Sequence, residues 1–197
     1  MARDTRTRML EATARLLQHR GYHGTSLSSI LEASGAPRGS LYFHFPGGKD
    51  QLVVEATRIA VDETTRELRE IFEATDNPAR GVRAFVEAAA RIMRETDYTF
   101  GCPVAPVILD ATSDLAELAE LCRQAFEEWV GLMQQSFVEA GIPKRRAYAV
   151  ALLVESSVEG LLMIARAYRD VGPVLAVAAE LEAAVEAALP ASAHPPG

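Results

Sequence analysis

Residues 25–45 read TSLSSILEASGAPRGSLYFHF, and this stretch decides the fold. A Ser/Thr cap opens a short apolar helix, Gly35 interrupts it, and Pro37 stands where the first turn of a further helix suits proline. An amphipathic segment at residues 5–20 precedes them. Three helices with a tight glycine-containing break before the last one predict a helix-turn-helix.

The helix after Pro37 carries polar and aromatic side chains that a buried helix would not need. Leu41 and Phe45, four residues apart, are its expected core anchors, so the other side chains face elsewhere. Arginine can read a guanine edge, hydroxyl groups can bind phosphate, and helix N-termini attract anions. We therefore expect DNA contacts from Thr25, Ser26, Arg38, Gly39, Ser40, Tyr42, Phe43, His44 and Lys49, with added charge from Arg3, Arg6 and Arg8. Taken singly, the hydroxyl groups could be plain helix caps and the arginines a solvated face.

The net charge of -7 is unevenly distributed. Residues 1–50 contain seven Lys/Arg and four Asp/Glu, whereas residues 51–197 contain thirteen and twenty-three. A basic N-terminal quarter favours binding of a polyanion, whereas the acidic remainder of the chain would repel one. We therefore expect the two parts to have different functions. We predict a helix-turn-helix DNA-binding domain at residues 1–50, a helical ligand-binding and dimerisation domain at 51–190, and a loose tail at 191–197.

The chain reads as helical throughout, because Ala, Leu, Glu and Arg dominate and alternating apolar/polar runs are missing. The predicted fold class is therefore all-α, with about nine helices. The predicted helices span residues 5–20, a short segment from residue 27, 38–44, 49–75, 79–96, a short helix after a bend within 97–110, 114–140, 144–169 and 174–189.

The last two predicted helices are rich in small apolar residues, which favours partners on more than one side. The simplest partner is the same pair from a second subunit, giving a two-fold four-helix bundle. The alternative is packing within one protomer. The expected dimer interface is Leu153, Val154, Val158, Leu161, Leu162, Val177, Leu181 and Val185.

An apolar stripe suits a small-molecule site in the larger domain, since Met and aromatic side chains re-pack around varied ligands. The same stripe is equally typical of a plain core. Glu155 and Glu159 lie nearby in sequence, and the acidic balance favours a neutral or cationic ligand over an anion. The fourth helix, with the Pro103–Pro106 segment moving against it, is the expected lever towards the DNA-binding helices. The candidate ligand-binding residues are Phe85, Ala89, Met93, Phe100, Val104, Val107, Ile108, Phe126, Trp129, Met133, Phe137, Ser156 and Met163.

The motif Gly-Ser-Leu-Tyr-Phe-His-Phe at residues 39–45, within a match over residues 5–52, resembles the DNA-binding domain of the TetR/AcrR family. The resemblance implies an all-helical dimeric repressor that binds a pseudo-palindromic operator and carries a C-terminal ligand-binding domain. The Met and aromatic content of the apolar stripe predicts that a small apolar or aromatic effector releases it. Pro-Gly-Gly-Lys at 46–49, Gly-Cys-Pro-Val at 101–104 and Glu159-Gly160 are similar to the LmrA/YxaF-like branch. That branch includes repressors of multidrug-resistance genes.

Other functional classes find little support in the sequence. The two cysteines lack CxxC spacing, the four histidines are scattered, and no catalytic motif appears, so we expect no enzyme, metal or cofactor. The polar N-terminus has no signal-peptide core, and no uninterrupted run reaches the length of a membrane span, which favours a cytoplasmic location. The remaining alternative is a DNA-binding regulator without a small ligand, whose C-terminal domain serves dimerisation or a protein partner.

Overall fold

The computed structural model describes residues 4–110 and 115–190. Within these ranges the chain forms nine α-helices, one short 3-10 helix and no strand, which confirms the all-α prediction. The expected loose tail and Arg3 lie outside the described residues. The helices are α1 Thr5–Arg20, α2 Leu27–Ser34, the 3-10 turn Arg38–Ser40, α3 Leu41–His44, α4 Gly48–Glu73, α5 Pro78–Glu95, α6 Ala105–Asp110, α7 Ala116–Glu139, α8 Lys144–Tyr168 and α9 Gly172–Glu186.

The chain divides into two compact units. The N-terminal unit contains residues up to Thr64 together with Cys102–Ala125, and the C-terminal unit contains Thr65–Gly101 with residues from Phe126 onward. This division differs from the predicted domain boundary at residue 50. The reason is physical: α4 continues without a break through that position, and α6 packs against α1.

The core of the N-terminal unit joins α1, α2, α3 and the start of α4. Leu41 and Phe45 are fully buried in it, as expected of the two anchors. Ser26 caps α2 through a reciprocal capping box with Ser29, which satisfies amides that the helix start leaves free. The buried cluster consists of Met9, Leu10, Ile30, Leu41, Phe45, Leu52 and Ala56.

The α1–α2 loop is fastened to the end of α6. Gly21 ends α1 with a φ of 63°, and a side chain there would approach within 2.3 Å of the Asp110 carboxylate. Asp110 Oδ2 accepts a hydrogen bond of 3.1 Å from the backbone amide of His23. Glycine is therefore required at position 21 for both its conformation and the closeness of α6.

The core of the C-terminal unit is built mainly by α5, α8 and α9. Five of the residues expected at a dimer interface are buried in this core within a single protomer. The side chains of these five residues therefore pack inside the protomer, as in the alternative to a dimer interface, because each lies on the inward face of its helix. These residues are Val154, Val158, Leu161, Leu181 and Val185.

The loop after α5 adopts an unusual backbone that α8 holds in place. Asp97 and Tyr98 have φ values of 51° and 61°, a region that side chains disfavour. Arg166 donates to the Tyr98 carbonyl at 3.1 Å and to the Thr99 carbonyl at 2.7 Å. Arg169 forms an ion pair with Asp97. These contacts hold the loop that leads towards α6.

Candidate DNA-binding surface and sensor core

One surface of the helix-turn-helix exposes the side chains that the sequence nominated for DNA. Tyr42 is 63% exposed and Phe43 is 81% exposed, although both lie beside the fully buried Leu41. Arg38 and Gly39 are also exposed. Two large aromatic side chains exposed next to each other form an apolar patch of the kind that marks an interaction site. We call Arg38, Gly39, Tyr42 and Phe43 the exposed recognition surface.

Gly39 has open space around its α-carbon. A β-carbon added there would meet no atom of the described residues within 4 Å, so nothing in the described part of the protomer requires glycine at this position. Close approach of an external backbone remains as a physical reason for it.

The hydroxyl groups near the start of α2 divide into one that faces solvent and one that does not. Thr25 is fully buried, and its hydroxyl donates to the Gly21 carbonyl at 2.8 Å. Ser26 is exposed and is the residue that caps the helix. The structure thus brings Ser26, but not the Thr25 hydroxyl, to the solvent-exposed side of the helix-turn-helix.

Lys49 is engaged within the fold. Its ammonium group donates to the Tyr22 carbonyl at 2.8 Å and lies 3.8 Å from the centre of the Tyr22 ring. Burial lowers the pKa of Lys49, partly offset by the charges of Asp50 and Asp110. Burial, followed by a 2.5 Å hydrogen bond to Asp50, raises the pKa of Tyr22 to about 12. Lys49 therefore organises the α1–α2 loop, and its charge is only partly open to an outside anion.

Among the remaining nominated residues, Ser40, His44 and Arg8 are half-buried, and Arg6 is exposed. Ser40 donates to the Pro37 carbonyl at 2.7 Å, and half-buried His44 stacks edge-on with Phe43, with 5.0 Å between ring centres. Arg6 pairs with Glu55, and Arg8 donates to the Ser34 carbonyl. Both arginines thus support the unit internally.

The candidate ligand-binding residues do not fall within one compact unit. Val104, Val107 and Ile108 belong to the N-terminal unit, and the others belong to the C-terminal unit. Met93, Met133 and Phe137 are fully buried in the core of the C-terminal unit. A cavity of about 180 Å³ beside Tyr22 lies in the N-terminal unit, and it is smaller than the roughly 300 Å³ at which drug-sized sites begin.

The polar head of Trp129 has a partner that sequence reasoning missed. The indole nitrogen donates to the Thr65 hydroxyl at 2.8 Å, and both residues are buried. A buried indole needs such an acceptor. Thr65 on α4 and Trp129 on α7 are 64 positions apart, so no local pattern could have paired them.

Family models match most of the chain. A model of the bacterial TetR family of regulatory proteins covers residues 9–56, and the C-terminal domain model of LmrA/YxaF-like transcriptional regulators covers residues 78–180. The chain belongs to the TetR family, in its LmrA/YxaF-like branch. It is thus a helix-turn-helix transcriptional regulator and not an enzyme, as the resemblance implied.

Relatives of this TetR-family chain match over nearly its whole length. It is 33% identical to the HTH-type transcriptional regulator LmrA of Bacillus subtilis, over 87% of this chain and 92% of that protein. It is 35% identical to the HTH-type transcriptional regulator Rv0196 of Mycobacterium tuberculosis, over 94% of this chain and 96% of that protein. A structure of the TetR-family regulator CifR with 26-base-pair operator DNA shares the fold, at a TM-score of 0.80 and 22% identity over 93% of this chain and 97% of that chain.

In this TetR-family regulator, α8 has an apolar face that the described part of the protomer leaves exposed. Met163 is 68% exposed, and Leu152, Leu153 and Ile164 lie exposed on the same side. By length and composition α8 is apolar enough to cross a membrane, contrary to the expectation from uninterrupted runs, and 39% of its most apolar stretch is buried. A core helix of a soluble protein passes the same test, so this is weak evidence for a membrane.

The other expected interface and ligand residues of the C-terminal unit are half-buried, except for exposed Ser156. Leu162 and Val177 are half-buried against the core, and Ser156 is exposed with its hydroxyl donating to the Leu153 carbonyl. Phe85 and Ala89 pack from α5 against the same core, and Phe126 contacts Trp129 edge-on. Phe100 is half-buried.

Proposed function

We propose that this TetR-family regulator is a cytoplasmic homodimeric repressor that binds a pseudo-palindromic operator and is released by a small apolar or aromatic effector. The observation that carries the proposal is the exposed recognition surface. Arg38, Tyr42 and Phe43 face solvent on a short helix whose Leu41 and Phe45 fix it to the core. These are side chains that read guanine edges, bind phosphate and cover thymine methyl groups in a major groove.

The proposed division of labour follows the charge distribution. The DNA-binding part begins with the basic residues 1–50 and includes exposed Ser26 at the N-terminus of α2, an end of a helix that favours a phosphate. Thr25 and Lys49 act indirectly in this proposal, because the first is buried and the second is bound to Tyr22. The acidic part carries dimerisation and effector binding.

We propose that the uncovered face of α8 forms the dimer interface. The apolar side chains Leu152, Leu153, Met163 and Ile164 would lose water against a second copy, which supplies the main favourable term of association. This proposed interface includes Leu153 from the sequence prediction, with Leu162 and Val177 at its margin. The inward-facing residues of α8 and α9 then contribute by holding the two helices together.

The proposed route from effector to DNA ends at Asp110. This carboxylate accepts the His23 amide and lies against Gly21, so a shift of α6 would displace the loop that positions α2. An effector can shift the protein towards the released form only by its difference in affinity for the two forms. In this proposal α6 acts on α1, in addition to the predicted lever α4.

The test is DNA binding at several salt concentrations, using duplexes from upstream of the regulator's own gene. Wild type is expected to bind with nanomolar affinity that weakens steeply with salt, because phosphate contacts release counterions. Tyr42→Ala is expected to lose this binding while keeping its helical content. A selection from random duplexes that enriches no sequence would overturn the proposal.

A regulator without a small-molecule effector is the second candidate. The complete burial of Met93, Met133 and Phe137 favours it, since a packed stripe needs no ligand. Screening apolar compounds for release of bound DNA separates the two candidates. Release by a compound that also raises the melting temperature of the protein supports the effector, whereas a screen without release supports the second candidate.

A further inference from the structure

Glu155 is a carboxylate buried in the middle of α8. Its residue is 6% exposed, and its helical neighbours Ala151, Val154 and Val158 are buried in the apolar core of the C-terminal unit. Its Oε2 atom is shielded from solvent and has no hydrogen-bond partner among the residues that the structure describes. Leaving a buried acceptor unpaired is costly, so this oxygen calls for a further partner such as a water, an ion or a ligand.

Among the described residues of the two helices packed most closely on α8, no buried cation accompanies Glu155. Burial, followed by the charge of Glu159 one turn along α8, raises the pKa of Glu155 to about 8. Two helices pack closely on α8, and their charged residues are exposed except for half-buried Glu182, which pairs with Arg83. These residues are Arg80, Arg83, Glu87, Arg91, Arg94 and Glu95 on α5 and Glu180, Glu182 and Glu186 on α9.

We propose that Glu155 is the polar anchor of the effector site, and that the effector is a lipophilic cation whose charge lies against this carboxylate. The inference rests on the proposed effector-released repressor and names the chemical class of its effector. A cation fits because both carboxylates on this part of α8 are negative when ionised. An apolar body fits because the surrounding side chains are aliphatic.

Binding of the cation is coupled to one proton. At neutral pH the free site holds the Glu155 carboxylic acid, and the bound site holds the carboxylate paired with the effector cation. The O–H bond of the acid breaks, the electron pair stays on the carboxylate, and the proton passes to solvent. Affinity should therefore rise with pH up to about 8 and then become constant.

The test uses a matched pair of probes on the full-length chain. (Naphthalen-1-ylmethyl)trimethylammonium carries a permanent charge, and 1-neopentylnaphthalene has the same shape without the charge. At pH 8, calorimetric titration is expected to show that the cation binds at least about tenfold more tightly than the neutral probe. Between pH 6 and 7 the affinity of the cation should rise about tenfold, because each binding event releases one proton from Glu155. The quaternary ammonium has no proton of its own to lose, so the change reports the carboxyl group alone.

Two variants distinguish the effect of the Glu155 carboxylate from that of the overall negative charge of the protein. Glu155→Gln keeps the shape of the protonated side chain and is expected to remove both the preference for the cation and the pH dependence. Glu180→Gln removes an exposed carboxylate on α9 and is expected to change neither. Equal binding of the two probes to wild type, or a cation preference that survives in Glu155→Gln, overturns the proposal. Binding of neither probe also overturns it.

DNA release measured in parallel distinguishes this inference from the function on which it rests. If the neutral probe releases operator DNA as well as the cation does, the repressor function stands and the role of Glu155 is wrong. If wild type binds the cation through Glu155 but never binds DNA, the effector site stands and the proposed repressor function is wrong. Should Glu155→Gln fail to fold, the pH profile of wild type alone decides, since a flat profile contradicts the proton release.

Discussion

Phe43→Ala separates folding from DNA binding at a single position. A fully buried phenylalanine removes roughly 150–250 Å² from water, and Phe43, at 81% exposure, hides about a fifth of its surface in the protomer. At about 25 cal/mol per Å² the lost burial amounts to about 1 kcal/mol of unfolding free energy. The neighbouring Leu41→Ala is the matched contrast, because it empties a fully buried site and costs about 2–5 kcal/mol.

The effect of Phe43→Ala on DNA binding is expected to be larger than its effect on folding. If DNA covers even half of the exposed part of the ring, each protomer gains about 2 kcal/mol from burial. Two protomers on one operator gain about 4 kcal/mol, which corresponds to about a thousandfold in affinity. The loss should be greatest for operators with a thymine at the contacted step, since the ring would cover its methyl group.

The assay pairs urea unfolding with fluorescence anisotropy on a labelled operator at fixed salt. Phe43→Ala should unfold within about 1 kcal/mol of wild type and bind at least a hundredfold more weakly. Leu41→Ala, measured at a temperature where it remains folded, should show the opposite pattern: its loss of unfolding free energy should exceed its loss of free energy of DNA binding. A folded Phe43→Ala variant that binds within threefold of wild type would refute the assignment of this surface to DNA.

Three further predictions concern other positions. Gly39→Ala should leave the unfolding free energy unchanged or raise it by up to about 1 kcal/mol, because its β-carbon meets nothing, yet weaken operator binding about tenfold or more. Met163→Lys should yield a folded monomer at concentrations where wild type sediments as a dimer, and a persistent dimer would place the interface elsewhere. Glu155→Gln should gain stability relative to wild type by about 1.4 kcal/mol per pH unit between pH 5 and 8. The sign follows because a raised carboxyl pKa stabilises the folded state at low pH, and this stabilisation is lost as pH rises through about 8; parallel pH–stability curves would contradict it.

Helix positions were largely predictable because their signals are local. Gly21 ends α1, Pro78 lies in the first turn of α5, and Pro143 precedes α8, each at a boundary that follows from backbone chemistry alone. The exposure of Tyr42 and Phe43 was predictable for a related reason. The spacing of Leu41 and Phe45 fixes which face of a short helix is buried.

Side-chain roles that depend on distant contacts were not predictable. Thr25 and Ser26 are adjacent hydroxyl residues, and only the position of the Gly21 carbonyl decides which of them turns inward. Lys49 looked like a free cation at a helix start, but Tyr22, 27 residues earlier, supplies its acceptor and its ring contact. Asp110 carried no signal of its own, because its partner lies 87 residues away.

The points at which the chain passes between the two compact units bear on how the proposed effector signal can travel. The first and third passages lie inside continuous helices, α4 and α7, which resist bending. The second, at Gly101–Cys102, is not helical, and it follows a loop that Arg166 and Arg169 of α8 hold in a disfavoured conformation. The same passage leads into α6, whose last residue holds the α1–α2 loop. A change at α8 that releases the two arginines would let the loop relax, and this non-helical passage is where the chain can transmit the relaxation with the least deformation of helices.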